Sequence, residues 1–164
     1  MTKRGVVIVL VLFTLAVLLL SGLGLLGSRA LRQAATRQQQ EAVQAAWLAQ
    51  AGLEDARVKL AKRLDFPPPG AMDQTFYSYS ERLVDSRGAE VGHYLVTLDS
   101  TQLHEPFYLL RLTSEGMVGP RQSPRASRVI TATLDLRGDD RFGDGLPTSP
   151  RLFQWVDWND GGIL

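Results

Sequence analysis

The feature that most constrains this chain is an apolar run close to its N-terminus. From Val6 to Leu20 every residue except Thr14 is apolar, and apolar residues continue through Leu26. About twenty residues in a helix, at roughly 1.5 Å each, match the hydrocarbon core of a bilayer. Each Val, Ile, Leu or Phe contributes about −0.3 to −0.6 kcal/mol to insertion, which outweighs the glycine and serine penalties. The run therefore predicts a membrane-spanning helix over residues 6–27.

A conventional signal peptide is the first alternative, and the residues after the run disfavour it. The run is longer than a usual signal-peptide core, and "GSRALRQAA" places Arg29 and Arg32 where small neutral residues are needed for cleavage. Charge alone leaves the orientation open, because Lys3 and Arg4 precede the run while Arg29, Arg32 and Arg37 follow it. The short N-terminal tail favours a cytoplasmic N-terminus with the remaining chain outside.

The helical pattern continues beyond the apolar run as an amphipathic segment. Small apolar residues recur there at spacings of three and four, which predicts one packing stripe. These residues are Ala42, Ala46, Ala49, Leu53, Ala56, Leu60 and Leu64. The sequence "DFPPPG" cannot continue a helix, so the amphipathic helix is expected over residues 28–64. A stripe rich in alanine suits close packing of the helix backbone against a flat sheet or another helix.

Three glycines mark the place where the helix would leave the hydrocarbon. Gly22, Gly24 and Gly27 each cost about 1 kcal/mol of helix propensity relative to alanine. Local melting or bending at these positions is one interpretation. Close helix packing within the membrane is the other.

Beyond Gly70 the hydrophobic period changes from that of a helix to that of strands. Four segments alternate and are rich in β-branched and aromatic residues. They are Phe76–Val84, Val91–Asp99, Phe107–Gly119 and Ser127–Leu136. The predicted fold is α+β, with one long N-terminal helix on a small antiparallel sheet of about four strands, and residues 65–164 forming the extracytoplasmic domain. Residues 137–150 are expected to be irregular, and Trp155 and Trp158 to fill a core edge or a partner contact.

Residues that carry chemistry are sparse. The net charge of +1 disfavours a nucleic-acid partner, and the absence of cysteine excludes disulfides and thiolate metal sites. His93 and His104 are the only histidines, and no nucleophile motif accompanies them. The chain is predicted not to be an enzyme and to need no cofactor or metal. Calcium binding by the C-terminal acids stays open, although their spacing misses the EF-hand loop. The oxygen donors in question are Asp139, Asp140, Asp144, Asp157 and Asp160, together with the amide of Asn159.

The order of these features resembles the type IV pilin and type II secretion pseudopilin superfamily. "KRGVVIVLVLFTLAVLLL" is similar to the class III leader, which prepilin peptidase cuts after the glycine. The resemblance implies a leader at residues 1–5, cleavage between Gly5 and Val6, and N-methylation of Val6. "AAWLAQAGLEDARVKL", over residues 45–60, is similar to a stretch of PilX-type minor pilins.

One position departs from the common pilin pattern. Most pilins carry glutamate at the fifth residue of the mature chain, where this chain has Leu10. In the family that carboxylate meets a neighbour's N-terminal amine, and without a partner its burial would be costly. A subunit at the tip has no neighbour above it, and PilX-type minor pilins and the GspK-type tip pseudopilin share the absence. The resemblance thus implies a tip or priming subunit.

The resemblance also implies partners and a location. The expected function is that of a minor pilin that primes a type IV pilus and sits in its tip complex, first in the inner membrane and then at the cell surface. Expected partners are other minor pilins, the major pilin, a PilY-type tip adhesin, the inner-membrane assembly machinery and prepilin peptidase. One alternative is a GspK-like tip pseudopilin of a type II secretion or DNA-uptake machine. Another is a single-pass membrane protein with an extracytoplasmic binding domain.

Overall fold

The computed structural model describes residues 3–62, 65–68, 70–71, 74–139 and 146–163, without the side chains of 3–9, 21–31 and 162–163. The fold is α+β, and the predicted class is confirmed. Its elements are helix α1 (Lys3–Lys62) and strands β1 (Phe76–Val84), β2 (Glu90–Asp99), β3 (Leu109–Val118), β4 (Ala126–Asp135) and β5 (Trp155–Ile163). The chain divides into two compact units, unit 1 (Met1–Gln40) and unit 2 (Glu41–Leu164).

Unit 2 contains one antiparallel sheet in which the strands neighbour each other in chain order, from β1 to β5. The first four strands lie where the two-residue period places them, within two residues at each end. The expectation of about four strands was wrong, because β5 adds a fifth. Its sequence, "WVDWNDGGI", carries acids and glycines that favour turns, and register shifts interrupt its pairing with β4.

The core of unit 2 lies between residues 41–62 of α1 and one face of the sheet. Aliphatic side chains fill it from both sides, and those named here are at most 4% exposed. They are Ala49, Leu53, Ala56, Leu60, Val96, Leu98, Leu110, Leu112, Ile130, Ala132, Leu134 and Leu136. Burial of a leucine side chain contributes roughly 1.5–3 kcal/mol, so this layer holds the helix on the sheet.

Two glycines allow the helix backbone to approach the sheet closely. A Cβ added to Gly116 in β3 would overlap the backbone of Ala45 and Ala49 in α1. A Cβ added to Gly52 in α1 would overlap Ser114 Oγ and lie 2.9 Å from the Tyr94 ring. The small residues therefore serve packing, because a larger side chain at either position would push the helix away from the sheet.

The described helix ends at Lys62, so the predicted last residue of the stripe, Leu64, lies outside the described residues. In the part of the chain that the structure describes, no helix has a stretch both long and apolar enough to span a membrane. The expected span at residues 6–27 is not supported by those residues and stays a prediction.

Candidate functional site

The apolar run of residues 6–26, with the expected cleavage site at its start, lies in unit 1. Gly5 and Val6, the expected cleavage residues, fall within the helical backbone of α1, and their side chains lie outside the described residues. Every side chain from Leu10 to Leu20 is exposed, with Leu10 itself 61% exposed. An apolar surface of this kind is stable only when lipid or another apolar surface covers it.

The one polar side chain in this exposed stretch satisfies its own hydroxyl. Thr14 Oγ1 donates to the Val11 carbonyl oxygen at 2.9 Å, one turn earlier in the helix. Such a bond inside the helix lets a threonine sit in an apolar surrounding without an unpaired donor. The only polar residue in the stretch is therefore compatible with a water-free environment.

The glycines that were candidates for helix melting lie within α1. The backbone at Gly22, Gly24 and Gly27 is helical, and the structure does not describe the side chains around them. The helix continues past them, and Thr36 Oγ1 donates to the carbonyl oxygen of the exposed Arg32 one turn earlier. Local melting and close helix packing at the three glycines therefore both stay predictions.

The predicted packing stripe of α1 divides into buried and half-buried residues in unit 2. Ala49, Leu53, Ala56 and Leu60 are fully buried, whereas Ala42 and Ala46 are half-buried. Sequence reasoning missed Ala45, Leu48 and Gly52, which are also buried against the sheet. The buried arc of the helix is therefore wider than the predicted stripe and extends to one side of it, because the sheet covers neighbouring helix positions on that side as well.

A polar cluster joins α1 to the first two strands at one flank of the helix. The Lys59 ammonium donates to Asp55 Oδ2 at 2.6 Å and also to Glu81 in β1. The Tyr79 hydroxyl donates to the same Asp55 oxygen at 3.0 Å, and the Tyr94 hydroxyl donates to Glu81 Oε2 at 3.1 Å. Lys59 Nζ also lies 4.4 Å from the centroid of the Tyr79 ring. Two carboxylates, one cation and two phenols thus bind the helix to the sheet edge.

A second polar contact ties α1 to the last strand. Trp155 Nε1 in β5 donates to Glu54 Oε1 at 3.0 Å, and Arg57 pairs with the other oxygen of Glu54 at 2.7 Å. The Trp158 ring meets the Trp155 ring edge to face, with centroids 5.8 Å apart. The two tryptophans therefore act differently, since Trp155 bonds to the helix while Trp158 remains 41% exposed.

A third contact joins α1 to the loop between β3 and β4. Arg125 Nε donates to Glu41 Oε1 at 2.6 Å. Glu41 does not belong to the predicted packing stripe of the helix. Its role depends on a residue 84 positions away, and no local pattern in the chain indicates that pairing.

The cluster of Asp55, Lys59, Glu81, Tyr79 and Tyr94 makes the stability of unit 2 sensitive to alkaline pH. Burial, and then the charge and hydrogen bond of Asp55, raise the pKa of Tyr79, and the same causes with Glu81 raise the pKa of Tyr94. For Lys59, burial lowers the pKa, but its bonds to the two carboxylates outweigh burial and raise it. The folded chain therefore holds these protons at a pH where the unfolded chain has lost them.

We expect the free energy of unfolding to be insensitive to these groups below about pH 10 and to fall above it. Each group lowers stability by at most about 1.4 kcal/mol per pH unit there, reduced by solvent screening. Urea unfolding at a series of alkaline pH values measures this slope. The double variant Tyr79→Phe/Tyr94→Phe should flatten it, and an unchanged slope in that variant would exclude the two phenols as its source.

The histidines and acids do not form a site among the residues that the structure describes. His93 lies in β2, is 2% exposed and has no hydrogen-bond partner on either ring nitrogen, whereas His104 is exposed in the loop after β2. Asp160 pairs with Arg128 at 2.6 Å. Within the described ranges no three histidine, aspartate or glutamate side chains gather closely enough to hold a metal. Two of the calcium candidates, Asp140 and Asp144, lie outside those ranges.

No protein-family model, curated protein or solved structure matches the chain. The resemblance to the pilin superfamily therefore remains a proposal that rests on the chain's own residues.

Proposed function

We propose that the chain is a minor pilin of the PilX type, which primes assembly of a type IV pilus and occupies its tip complex. It is inserted in the inner membrane with a cytoplasmic N-terminus and is cut between Gly5 and Val6. The observation that carries the proposal is the exposed apolar stretch Leu10–Leu20 of α1, on the same helix whose later residues pack on an antiparallel sheet.

An exposed apolar helix of this kind suits a segment that exchanges one apolar environment for another. Side chains from Leu10 to Leu20 contact lipid before assembly and neighbouring helices afterwards. Helices leave lipid for protein mainly through packing, since both surroundings are equally apolar. Thr14 does not oppose the transfer, because its hydroxyl is already bonded within the helix.

The tip position follows from the residue at Leu10. A shaft subunit would need a carboxylate there to pair with the N-terminal amine of its neighbour. A subunit that starts the filament has no such neighbour, and an unpaired carboxylate in an apolar surrounding would cost several kcal/mol. An apolar Leu10 therefore suits the priming and tip role, in which this subunit joins other minor pilins and supports a PilY-type adhesin.

The substitution Leu10→Glu tests this proposal in a strain that lacks the gene. We expect the wild-type gene to restore surface filaments and Leu10→Glu to fail. At the fifth residue of the mature helix the new carboxylate would have no neighbour's amine to neutralise it, and its burial in an apolar surrounding would cost several kcal/mol, so we expect the filament count to fall at least about tenfold. Filaments are counted by electron microscopy. Leu10→Ala is the matched control and should assemble, since it adds no charge.

Two outcomes would contradict the proposal. Normal or improved assembly with Leu10→Glu would place the subunit in the shaft, where a neighbour's amine neutralises the carboxylate. A deletion that leaves the filament count unchanged but stops secretion or DNA uptake would assign the chain to a pseudopilin machine.

A further inference from the structure

The outer edge of β1 is open in the described sheet. β1 stands first in the strand order, so only one of its two edges is paired, and that pairing is regular from Phe76 to Leu83 with one shift at Val84. The strand contains no proline. From Phe76 to Leu83 it therefore presents a regular row of backbone donors and acceptors, which is the template for adding another strand.

Both outer strands carry exposed charges and a register shift, Glu81 and Arg82 being the charges of β1, but the edge formed by β5 is the more disrupted of the two. β5 pairs with β4 through two register shifts, which bend and twist the strand. Asp157 and Asp160 are exposed along it, and Gly161 weakens it further. Bulges and charges are the usual devices that prevent strand addition. Of the two edges, β1 is the one suited to receive a partner.

The sequence of β1 is complementary to itself when two copies run antiparallel about Ser80. Phe76 of one copy then lies opposite Val84 of the other, and these two side chains are the large exposed apolar residues of the strand, at 59% and 62%. Arg82 lies opposite Ser78, and Ser80 lies opposite its own copy. Apolar pairs therefore close both ends of the contact, and no like charges lie directly opposite each other.

Neighbouring registers are less favourable. A pair centred on Glu81 would place two glutamates directly opposite each other. A pair centred on Tyr79 would place Phe76 opposite Arg82 and leave Val84 beyond the partner strand. Only the register centred on Ser80 pairs all nine residues of the strand.

We propose that unit 2 self-associates through β1, with a second copy of this chain paired antiparallel about Ser80. The contact is two-fold and uses the same surface on both copies, so it closes as a dimer. It joins the two five-stranded sheets edge to edge. The contact depends only on β1 and not on how the N-terminal apolar segment is used, so its failure would leave the proposed function standing.

Cysteine cross-linking of the full chain tests this contact directly, because the chain contains no cysteine of its own. Opposed residues of an antiparallel pair have Cβ atoms about 4.5–5.5 Å apart, close to the reach of a disulfide. With the full chain in detergent under mild oxidation, Ser80→Cys should form a covalent dimer at least about tenfold faster than Asn159→Cys on the exposed opposite edge. Far-ultraviolet circular dichroism of the reduced variants shows that both fold.

The register provides a second, sharper measurement. A mixture of Ser78→Cys and Arg82→Cys should cross-link faster than either variant alone, because only the mixture places two cysteines opposite each other. Ser80→Cys that cross-links no faster than Asn159→Cys would overturn the proposal. Faster cross-linking in a mixture of Ser80→Cys and Asn159→Cys would also overturn it, since that result indicates head-to-tail pairing of β1 with β5.

Discussion

Replacing Gly116 by alanine should destabilise unit 2 by about 3 kcal/mol or more, because the new methyl group meets only backbone. It would overlap the Ala45 carbonyl oxygen and the Ala49 nitrogen, and it would lie 2.9 Å from the Leu48 carbonyl carbon. None of these atoms can rotate away. The helix must therefore lift from the sheet and lose part of the burial of Leu48 and its neighbours. Thermal unfolding followed by circular dichroism should show a midpoint lowered by about 10 °C or more.

Two further glycines calibrate this result. Gly161→Ala in β5 is the control, because its methyl group would lie 3.3 Å from the Val129 carbonyl oxygen and needs little adjustment. Gly52→Ala should be intermediate, since it overlaps the Ser114 hydroxyl, which belongs to a side chain. Adding Ser114→Ala should recover part of that loss. A midpoint for Gly116→Ala equal to that of Gly161→Ala would show that the helix does not pack on the sheet as closely as described.

Substituting Gly5 should abolish processing of the chain by prepilin peptidase. The proposed cleavage lies between Gly5 and Val6, and glycine has no side chain to hinder a close approach of its backbone to an enzyme, which a valine side chain would obstruct. With Gly5→Val, we expect the uncut precursor to accumulate, with processing reduced by at least about tenfold. The measurement is the intact mass of the chain purified from cells that produce the peptidase.

The control for processing is Gly22→Ala, which changes another glycine of the same helix. It should leave cleavage unchanged, since it lies well away from the proposed scissile bond. Normal removal of residues 1–5 in Gly5→Val would contradict the assignment of the cleavage site. If processing precedes assembly, the Gly5→Val gene should restore no surface filaments in a strain that lacks the wild-type gene.

Much of unit 2 is predictable because its periods are strong and local. The strand β4 alternates cleanly, so that Ile130, Ala132, Leu134 and the following Leu136 could be assigned to one face from sequence, and all four are buried. The prolines after Asp65 exclude continuation of the helix, and the described helix ends before them, at Lys62. Features of this kind need only neighbouring residues.

The features that escaped prediction depend on distant residues. β5 becomes a strand because β4 offers it an edge, although its own residues favour turns. Three acids of the helix lie outside the predicted packing stripe, and each pairs with a sheet or loop side chain; they are Glu41, Glu54 and Asp55. A single sequence holds no record of such pairings, since each partner is far along the chain and acquires its position only from the folded sheet.

The most direct test of the proposed function is the N-terminal residue of the chain isolated from the inner membrane or from purified filaments. Mass spectrometry of the N-terminal peptide should find N-methylated Val6 as the first residue. That result would require both the leader and the peptidase that the resemblance implies. A chain that begins with Met1 in cells with active prepilin peptidase would contradict the pilin proposal and favour an ordinary single-pass membrane protein.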